Sequence, residues 1–239
     1  MPPKIAQIIR SSSRGYRDYG WLRTYHSFSF GDYYHPSYIR FGALRVLNED
    51  IIAPGTGFAT HPHKDMEIIT LPLAGELRHE DSTGQSGIIK PGQVQVMSAG
   101  TGIYHSERNP SQRDALHLLQ IWVIPEKSGV IPRYQQADLP PLPANTIFTF
   151  LGPKDAGHLL WIHQQSWFSL LQLESGHSAI YFMKKFSNGI YLFIIDGNIQ
   201  VQDYTLEKGD ALASEGLDTI EIQGIADNSR ILLMEVPMI

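Results

Sequence analysis

The stretches FATHPHKDMEIIT, residues 58–70, and MSAGTGIYHSERNP, residues 97–110, contain the pattern that decides the fold and the site. Each contains two candidate metal ligands with a single residue between them, namely His61 with His63 and His105 with Glu107. In an extended strand the side chains alternate between faces, so each pair projects from one face. If the two strands face each other, three imidazoles and one carboxylate converge, a donor set that suits a divalent first-row metal.

The chain around these two stretches reads as short strands joined by tight turns. The apolar run at 68–73 predicts a strand, and the sequences DSTG at 81–84 and KPG at 90–92 predict turns. The run LHLLQIWVI at 116–124 is apolar almost throughout, as in a strand that is buried on both faces. Upstream, the alternation of Phe28 and Phe30 with serines predicts a half-buried strand.

Length and composition favour an all-β protein with two domains. The 239 residues are 42% hydrophobic, enough for a substantial core, and include 21 glycines and 15 prolines. The sequence LPPLP at 139–143 suits neither a helix interior nor a central strand, so we interpret it as a linker. Strands resume beyond it at the spacing of about 8–12 residues that is typical of sandwiches and barrels. We therefore expect a first domain at 1–138 and a second at 139–239.

Charge and residue usage exclude several classes of function. The net charge of −5 gives no general attraction to nucleic acid or to anionic membranes. The absence of cysteine excludes disulfides, thiolate metal sites and cysteine nucleophiles. No stretch approaches the about 18 apolar residues of a membrane span, and the apolar run at 5–9 is too short for a signal-peptide core. We expect a cytoplasmic protein that binds no membrane and makes no direct contact with nucleic acid.

The two motifs resemble those of a known family. The pattern Gx5HxHx3E that begins at Gly55 is similar to the first motif of the cupins. The pattern Gx2Hx3N that begins at Gly102 is similar to the end of their second motif. The fuller strings at 58–70 and 97–110, together with YHSFSFGDYYHP at 25–36, resemble the pirin family, a bicupin group that includes bacterial quercetin dioxygenases.

The resemblance covers most of residues 14–135 and implies a jelly-roll β-sandwich in each half, with one metal ion in the first. The family ligands carry over onto His61, His63, His105 and Glu107. The family metal is usually iron, so we expect Fe(II), with Ni, Co, Mn, Cu and Zn as alternatives. Many other cupins use the glutamate of the first motif, here Glu67. We favour Glu107, because its shared face with His105 follows from strand geometry, and Glu67 is then a candidate for orienting a histidine.

The second half departs from the metal-binding template. Five residues after Gly176, the sequence Phe182-Met183-Lys184 occupies the place of the two histidines. A phenyl ring cannot ligate, and a lysine ammonium repels a cation, so we expect one metal rather than two. Outside the motifs, His117 could line the cavity, although a hydrogen-bonded core histidine is the commoner role, and we expect His26 to be a core or hydrogen-bonded histidine.

The resemblance implies a metal-dependent dioxygenase that opens a flavonol such as quercetin with O2 and releases CO, with Glu107 as the catalytic base. A second hypothesis, from pirins of higher organisms, is an iron-binding, redox-responsive regulatory protein without turnover. It would act through a protein partner, because the acidic net charge disfavours DNA contact. A third, a sugar isomerase of the cupin type, needs more polar groups beside the site than the sequence identifies. Consumption of quercetin in air separates the first two hypotheses.

Overall fold

The computed structural model describes residues 7–239 and consists almost entirely of strands. The helical element in this range is the three-residue 3-10 helix Ser11–Ser13, so no helix of the described residues is long and apolar enough to cross a membrane. The strands are β1 (Gln7–Ile9), β2 (Gly15–Asp18), β3 (Leu22–His26), β4 (Leu44–Ile52), β5 (Gly57–His63), β6 (Glu67–Ala74), β7 (Leu77–Asp81), β8 (Ser86–Ile89), β9 (Gln93–Ser98), β10 (Ile103–Arg108), β11 (Leu116–Val123), β12 (Arg133–Asp138), β13 (Ile147–Pro153), β14 (Leu160–Ile162), β15 (Trp167–Leu173), β16 (Ser178–Phe182), β17 (Asn188–Asp196), β18 (Asn198–Val201), β19 (Tyr204–Glu207), β20 (Ala211–Glu215), β21 (Thr219–Gly224) and β22 (Ser229–Pro237). The prediction of an all-β chain is confirmed.

The two halves of the chain repeat one strand order. The first half contains a large sheet, β12-β9-β6-β11-β4-β3-β2, and a small sheet, β5-β10-β7-β8. The second half contains a large sheet, β1-β20-β17-β22-β15-β13-β14, and a small sheet, β16-β21-β18-β19. In the large sheets, the order β9-β6-β11-β4 of the first half corresponds to β20-β17-β22-β15 of the second. In the small sheets, all four strands correspond in the order given. Strands β5 and β10, which contain the predicted ligands, therefore correspond to β16 and β21.

The first strand of the chain completes the sheet of the second half. Strand β1 pairs antiparallel with β20, whereas β12 occupies the corresponding edge beside β9 in the first half. The ion pair between Arg10 and the buried Asp210, at 2.6 Å, fixes the end of β1. Residues 7–9, which the sequence assigns to the first domain, thus lie in the sheet of the second half. The predicted boundary after residue 138 stays a prediction; β12 ends there.

The largest buried apolar cluster contains residues from both halves. Its members lie on the two large sheets and include Ile69, Leu119, Ile121, Phe168, Tyr191 and Met234. Strand β11 lies between β6 and β4 and is buried on both faces, as its sequence predicts. Leu139 and Leu142 of the predicted linker pack against this cluster, so the proline-rich segment follows the junction between the halves.

The strand predicted at Phe28 and Phe30 is wrong. Strand β3 ends at His26, and the chain then turns so that Phe30 and Tyr33 exchange two backbone hydrogen bonds of 2.9 and 3.0 Å. Phe28 packs against Tyr191 of the second half, with ring centroids 5.4 Å apart. The two phenylalanines alternate because Phe28 packs against the second half and Phe30 packs against Trp122.

Candidate metal centre

The two predicted ligand strands are hydrogen-bonded neighbours in the small sheet of the first half. His105 of β10 lies directly opposite His61 of β5. The register then shifts, because Glu107 is opposite Phe58, so β5 contains one extra residue at this point. Such a bulge changes the alternation of side chains. It lets Phe58 and His61, three residues apart, line the same cavity.

The bulge also fixes the ring of His61. The carbonyl oxygen of Ala59 lies 2.7 Å from Nδ1 of His61, so this nitrogen donates a hydrogen bond and Nε2 keeps its lone pair. Histidines that bind metals commonly donate their second ring N–H to a carbonyl or carboxylate in this way. The local backbone thus prepares His61 to bind a metal through Nε2.

The three predicted histidines meet at one point. Candidate ligand nitrogens of His61, His63 and His105 lie within 4.8 Å of one another, and the Nε2 atoms of His61 and His105 are 3.0 Å apart. Two nitrogens bound at about 2.1 Å to one ion, at a right angle, lie about 3.0 Å apart. Burial, with the neighbouring imidazoles, lowers the pKa of His63 to about 4 and that of His105 to about 2. Both rings are therefore neutral at pH 7, as metal binding requires.

Glu107 lies beside the histidines on the inward face of β10. Its carboxylate forms a second group with His79 and His105, whose ligand atoms also lie within 4.8 Å of one another. All four predicted ligands line one cavity. Burial, reinforced by the nearby carboxylate of Asp50, raises the pKa of Glu107 to about 7. The structure thus brings three predicted ligands to one point and places the fourth next to His105.

A row of polar side chains crosses the large sheet beside Glu107, and the sequence analysis did not predict it. Its members are cross-strand neighbours, in the order His26, Asn48, Gln120, Thr70 and Gln95. Gln120 donates from Nε2 to Oε2 of Glu107 at 2.8 Å and accepts from the Thr70 hydroxyl at 3.1 Å. The row therefore holds the carboxylate in place. The available signal was one polar residue, Thr70 or Gln120, inside each of two apolar runs.

His79 is a further buried histidine that the sequence analysis missed. Its Nε2 lies 3.0 Å from Oδ2 of Asp81, and its ring centroid is 5.3 Å from that of His105. The backbone N–H and the hydroxyl of Thr83 donate to the other oxygen of Asp81, at 2.8 and 2.6 Å. His79 and Asp81 have the same one-residue separation as the predicted ligand pairs, and this spacing was the signal that could have found them.

The cavity beside the ligands has a volume of about 260 Å³. Its walls are aromatic at Phe30, Phe58 and Trp122. The ring of Trp122 meets His63 edge-on, with centroids 4.8 Å apart, and meets Phe30 edge-on at 5.3 Å. An aromatic cavity with a cluster of nitrogen and oxygen ligands at one side suits a flat aromatic molecule that carries metal-binding oxygens.

Glu67 and His117 lie away from this cavity. Glu67 is buried on the opposite face of β6 from Ile68 and accepts a hydrogen bond of 2.7 Å from Ser98. No hydrogen bond in residues 7–239 joins it to a site histidine, which corrects the expectation that it orients one. His117 pairs with Glu49 at 2.9 Å, and so is a hydrogen-bonded histidine rather than part of the cavity lining.

The strands of the second half that correspond to β5 and β10 present apolar residues inward. The buried cross-strand pairs are Ala179 with Ile222 and Tyr181 with Ile220. Phe182, at the position that sequence spacing equates with the histidine pair, is 63% exposed. Within the described residues, both groups of candidate ligands lie in the first half.

Comparison with known proteins agrees with this geometry. The family model described as Pirin matches residues 9–123, and the model described as Quercetinase C-terminal cupin domain matches residues 149–236. A protein of Escherichia coli K12 named quercetin 2,3-dioxygenase is 38% identical over 234 residues, which cover 96% of this chain and 98% of that protein. The chain belongs to the pirin family. The resemblance identified from the motifs is therefore confirmed.

Solved pirin structures share the whole fold. The crystal structure of YhhW from Escherichia coli is 36% identical, with a TM-score of 0.93, and the match covers 98% of this chain and 99% of that one. A second structure of YhhW, in complex with nickel(II), gives a TM-score of 0.91 at 36% identity and covers 98% of this chain and 100% of that one. The predicted bicupin fold is confirmed by these matches and by the two family models.

Proposed function

We propose that this pirin is a metal-dependent dioxygenase that opens flavonols such as quercetin with O2 and releases CO. The observation that supports it most is the meeting of three imidazoles beside a buried carboxylate, in a cavity with aromatic walls. The name of the Escherichia coli relative, quercetin 2,3-dioxygenase, points to the same reaction class. Two oxygen atoms enter the flavonol and one carbon leaves as CO, so the reaction needs no further reductant.

The proposed ligands of one divalent metal are His61, His63, His105 and Glu107. We propose Fe(II) as the metal, with nickel as the first alternative because of the nickel complex of YhhW, and Co, Mn, Cu and Zn after it. The chemistry that such an ion supplies is Lewis acidity toward the 3-hydroxyl and the neighbouring carbonyl of the flavonol. The side chains of the cavity would bind and orient the substrate and accept its proton.

Glu107 is the proposed base for the proton of the 3-hydroxyl. It lines the cavity, and burial makes its carboxylate more basic than an exposed one, as a general base requires. Gln120 holds Oε2 at 2.8 Å, and the Thr70 hydroxyl lies 3.4 Å from Oε1. These contacts hold the carboxylate beside the cavity, where it would bind the metal and could accept the proton of the hydroxyl.

The test compares His61→Ala with His177→Ala, an exposed histidine of the second half that serves as the matched control. Metal-loaded wild type and His177→Ala are expected to consume quercetin in air over many turnovers. His61→Ala is expected to lose both the bound metal, measured by elemental analysis, and the turnover. If metal-free protein consumed quercetin as fast as loaded protein, the proposal would be wrong. An intact metal site without turnover, together with a stable protein complex, would favour the regulatory hypothesis.

A further inference from the structure

A second cavity, of about 270 Å³, adjoins the cavity of the proposed metal centre. The two cavities share four lining residues, Phe30, Asn48, Asp50 and Phe58. The far side of the second cavity includes Tyr19, Trp21, Thr24 and His26. Neither the proposed metal ligands nor the proposed base lines it.

Phe30 and Phe58 form an aromatic partition between the two cavities. The ring of Phe58 lies 5.1 Å from Trp21 of the second cavity and 6.3 Å from His61 of the first. The ring of Phe30 lies 5.5 Å from that of His26 in the second cavity. It also meets the ring of Trp122 in the first cavity edge-on, at 5.3 Å. An aromatic molecule that spans both cavities would therefore meet ring faces and edges along its whole length.

Two polar residues, Asn48 and Asp50, line both cavities, and Asp50 is the one that carries a carboxylate. It is only 3% exposed, and its Oδ1 has no hydrogen-bond partner among the described residues. The hydroxyl of Thr24, also in the second cavity, lies beside this carboxylate without a hydrogen bond of standard length and angle. An unpaired buried carboxylate oxygen costs free energy that a hydrogen-bond donor from a ligand would recover. A phenolic hydroxyl is such a donor.

Size also argues for joint use of the two cavities. Pockets for drug-sized ligands usually measure about 300–1,000 Å³, and the metal cavity alone is smaller, at about 260 Å³. A flavonol has a flat fused pair of rings and one pendant ring on a single bond. Rotation about that bond lets the pendant ring take a plane of its own, which the rigid fused pair cannot do.

We propose that the second cavity binds the pendant ring of the flavonol and that Asp50 accepts a hydrogen bond from a hydroxyl on it. The inference rests on the proposed dioxygenase function and deepens it, because it assigns a binding residue to the pendant-ring hydroxyls of flavonols such as quercetin. Asp50 is a specificity residue in this arrangement, because it contacts a part of the substrate that does not react.

The test uses three flavonols that differ only in the pendant ring, with no, one or two hydroxyls. With metal-loaded wild type, kcat/KM is expected to rise about tenfold or more from the unsubstituted ring to the hydroxylated rings, mainly through KM, because a hydrogen bond to a charged group is gained. Asp50→Asn is expected to reduce this preference to about threefold or less. The control Asp203→Asn, an exposed aspartate of the second half, should keep it.

The readout is the ratio among the three flavonols, because Asp50 lies near Glu107 and its substitution also changes the rate itself. Dissociation constants from calorimetry, measured in parallel, should show the same ratios without any turnover. Equal kcat/KM and equal binding of the three flavonols by wild type would overturn the inference and leave the dioxygenase proposal intact. Failure of loaded wild type to consume any flavonol would contradict the dioxygenase proposal, and the binding ratios would still decide whether the second cavity selects the hydroxylated ring.

Discussion

The two halves of this pirin share a strand order and differ in what fills them. The interior of the second half is one cluster of fifteen buried apolar residues. In the first half the corresponding residues form two separate clusters, of six and four, with the polar row and the metal cavity beside them. The fold is therefore compatible with a largely apolar interior, in which the buried carboxylate of Glu235 accepts hydrogen bonds from Tyr181 and Asn188. The first half replaces part of that packing with hydrogen-bonded polar groups that position Glu107.

The two halves differ in a few side chains of their small sheets. Strands β16 and β21 pair Ala179 with Ile222 and bury both side chains, whereas β5 and β10 pair His61 with His105. The bulge in β5 accompanies this change and supplies the carbonyl oxygen that holds His61. We infer that the second half serves as a packed support, joined to the first through the large shared cluster.

The largest expected effect comes from opening a cavity in the second interior. Leu192→Ala, on the fully buried strand β17, is expected to lower the free energy of unfolding by about 2–5 kcal/mol, because it removes packed methyl groups. Ile180→Ala, at a 49% exposed position of the same half, should change it by about 0.5 kcal/mol or less. Chemical denaturation measures both. Metal content per folded molecule should stay at the wild-type value, and its loss from folded Leu192→Ala protein would contradict the separation of roles.

At the junction between the halves, burial raises the pKa of Glu67 from 4.5 to about 7. The folded state binds this proton more tightly than the unfolded chain, so this carboxyl lowers the free energy of unfolding as pH rises from about 4.5 to about 7. Glu67→Gln removes the effect and is expected to gain stability over wild type through that window, by about 2–3 kcal/mol at pH 8. Denaturant unfolding at several pH values measures the difference.

Exposed Glu221→Gln is the control for this pH series and should follow wild type. A difference between Glu67→Gln and wild type that stays constant across the window would show that the carboxyl is already ionised when buried.

The smallest predicted effect sharpens the role of the polar row. Gln120→Leu removes the donor to Oε2 of Glu107 and keeps a similar side-chain volume. Metal affinity, measured by calorimetry, is expected to fall about 10- to 100-fold, the usual cost of losing a hydrogen bond that orients a ligand. Gln85→Leu, at an exposed turn, should bind metal as wild type does. Equal affinity of the two variants would show that Glu107 needs no support from the row.

The sequence predicts the strand content and the ligand pairs because both follow from short-range periodicity. His61 with His63, and His105 with Glu107, are two residues apart, and a strand places such residues on one face. The polar row joins residues from five strands, so no local pattern reveals it. The bulge in β5 likewise depends on the register with β10, which the sequence of one strand does not specify.

The false strand at Phe28 and Phe30 and the misplaced role of Glu67 have a related cause. Period-two alternation predicts two environments, but it does not distinguish a strand from a turn whose successive side chains pack against different neighbours. Glu67 follows the cupin spacing, yet the pleat of β6 directs it to the junction between the halves, where Ser98 binds it. The direction in which such a side chain points depends on the neighbours against which its strand or turn packs. Those neighbours are a property of the whole fold.

The most direct test of the account is diffraction from crystals of the metal-loaded protein, with anomalous scattering recorded at the absorption edge of the metal. The account predicts one ion in the first half, bonded at about 2.0–2.2 Å to His61, His63, His105 and a carboxylate oxygen of Glu107. An ion that binds without Glu107, or that occupies only the second half, would contradict it.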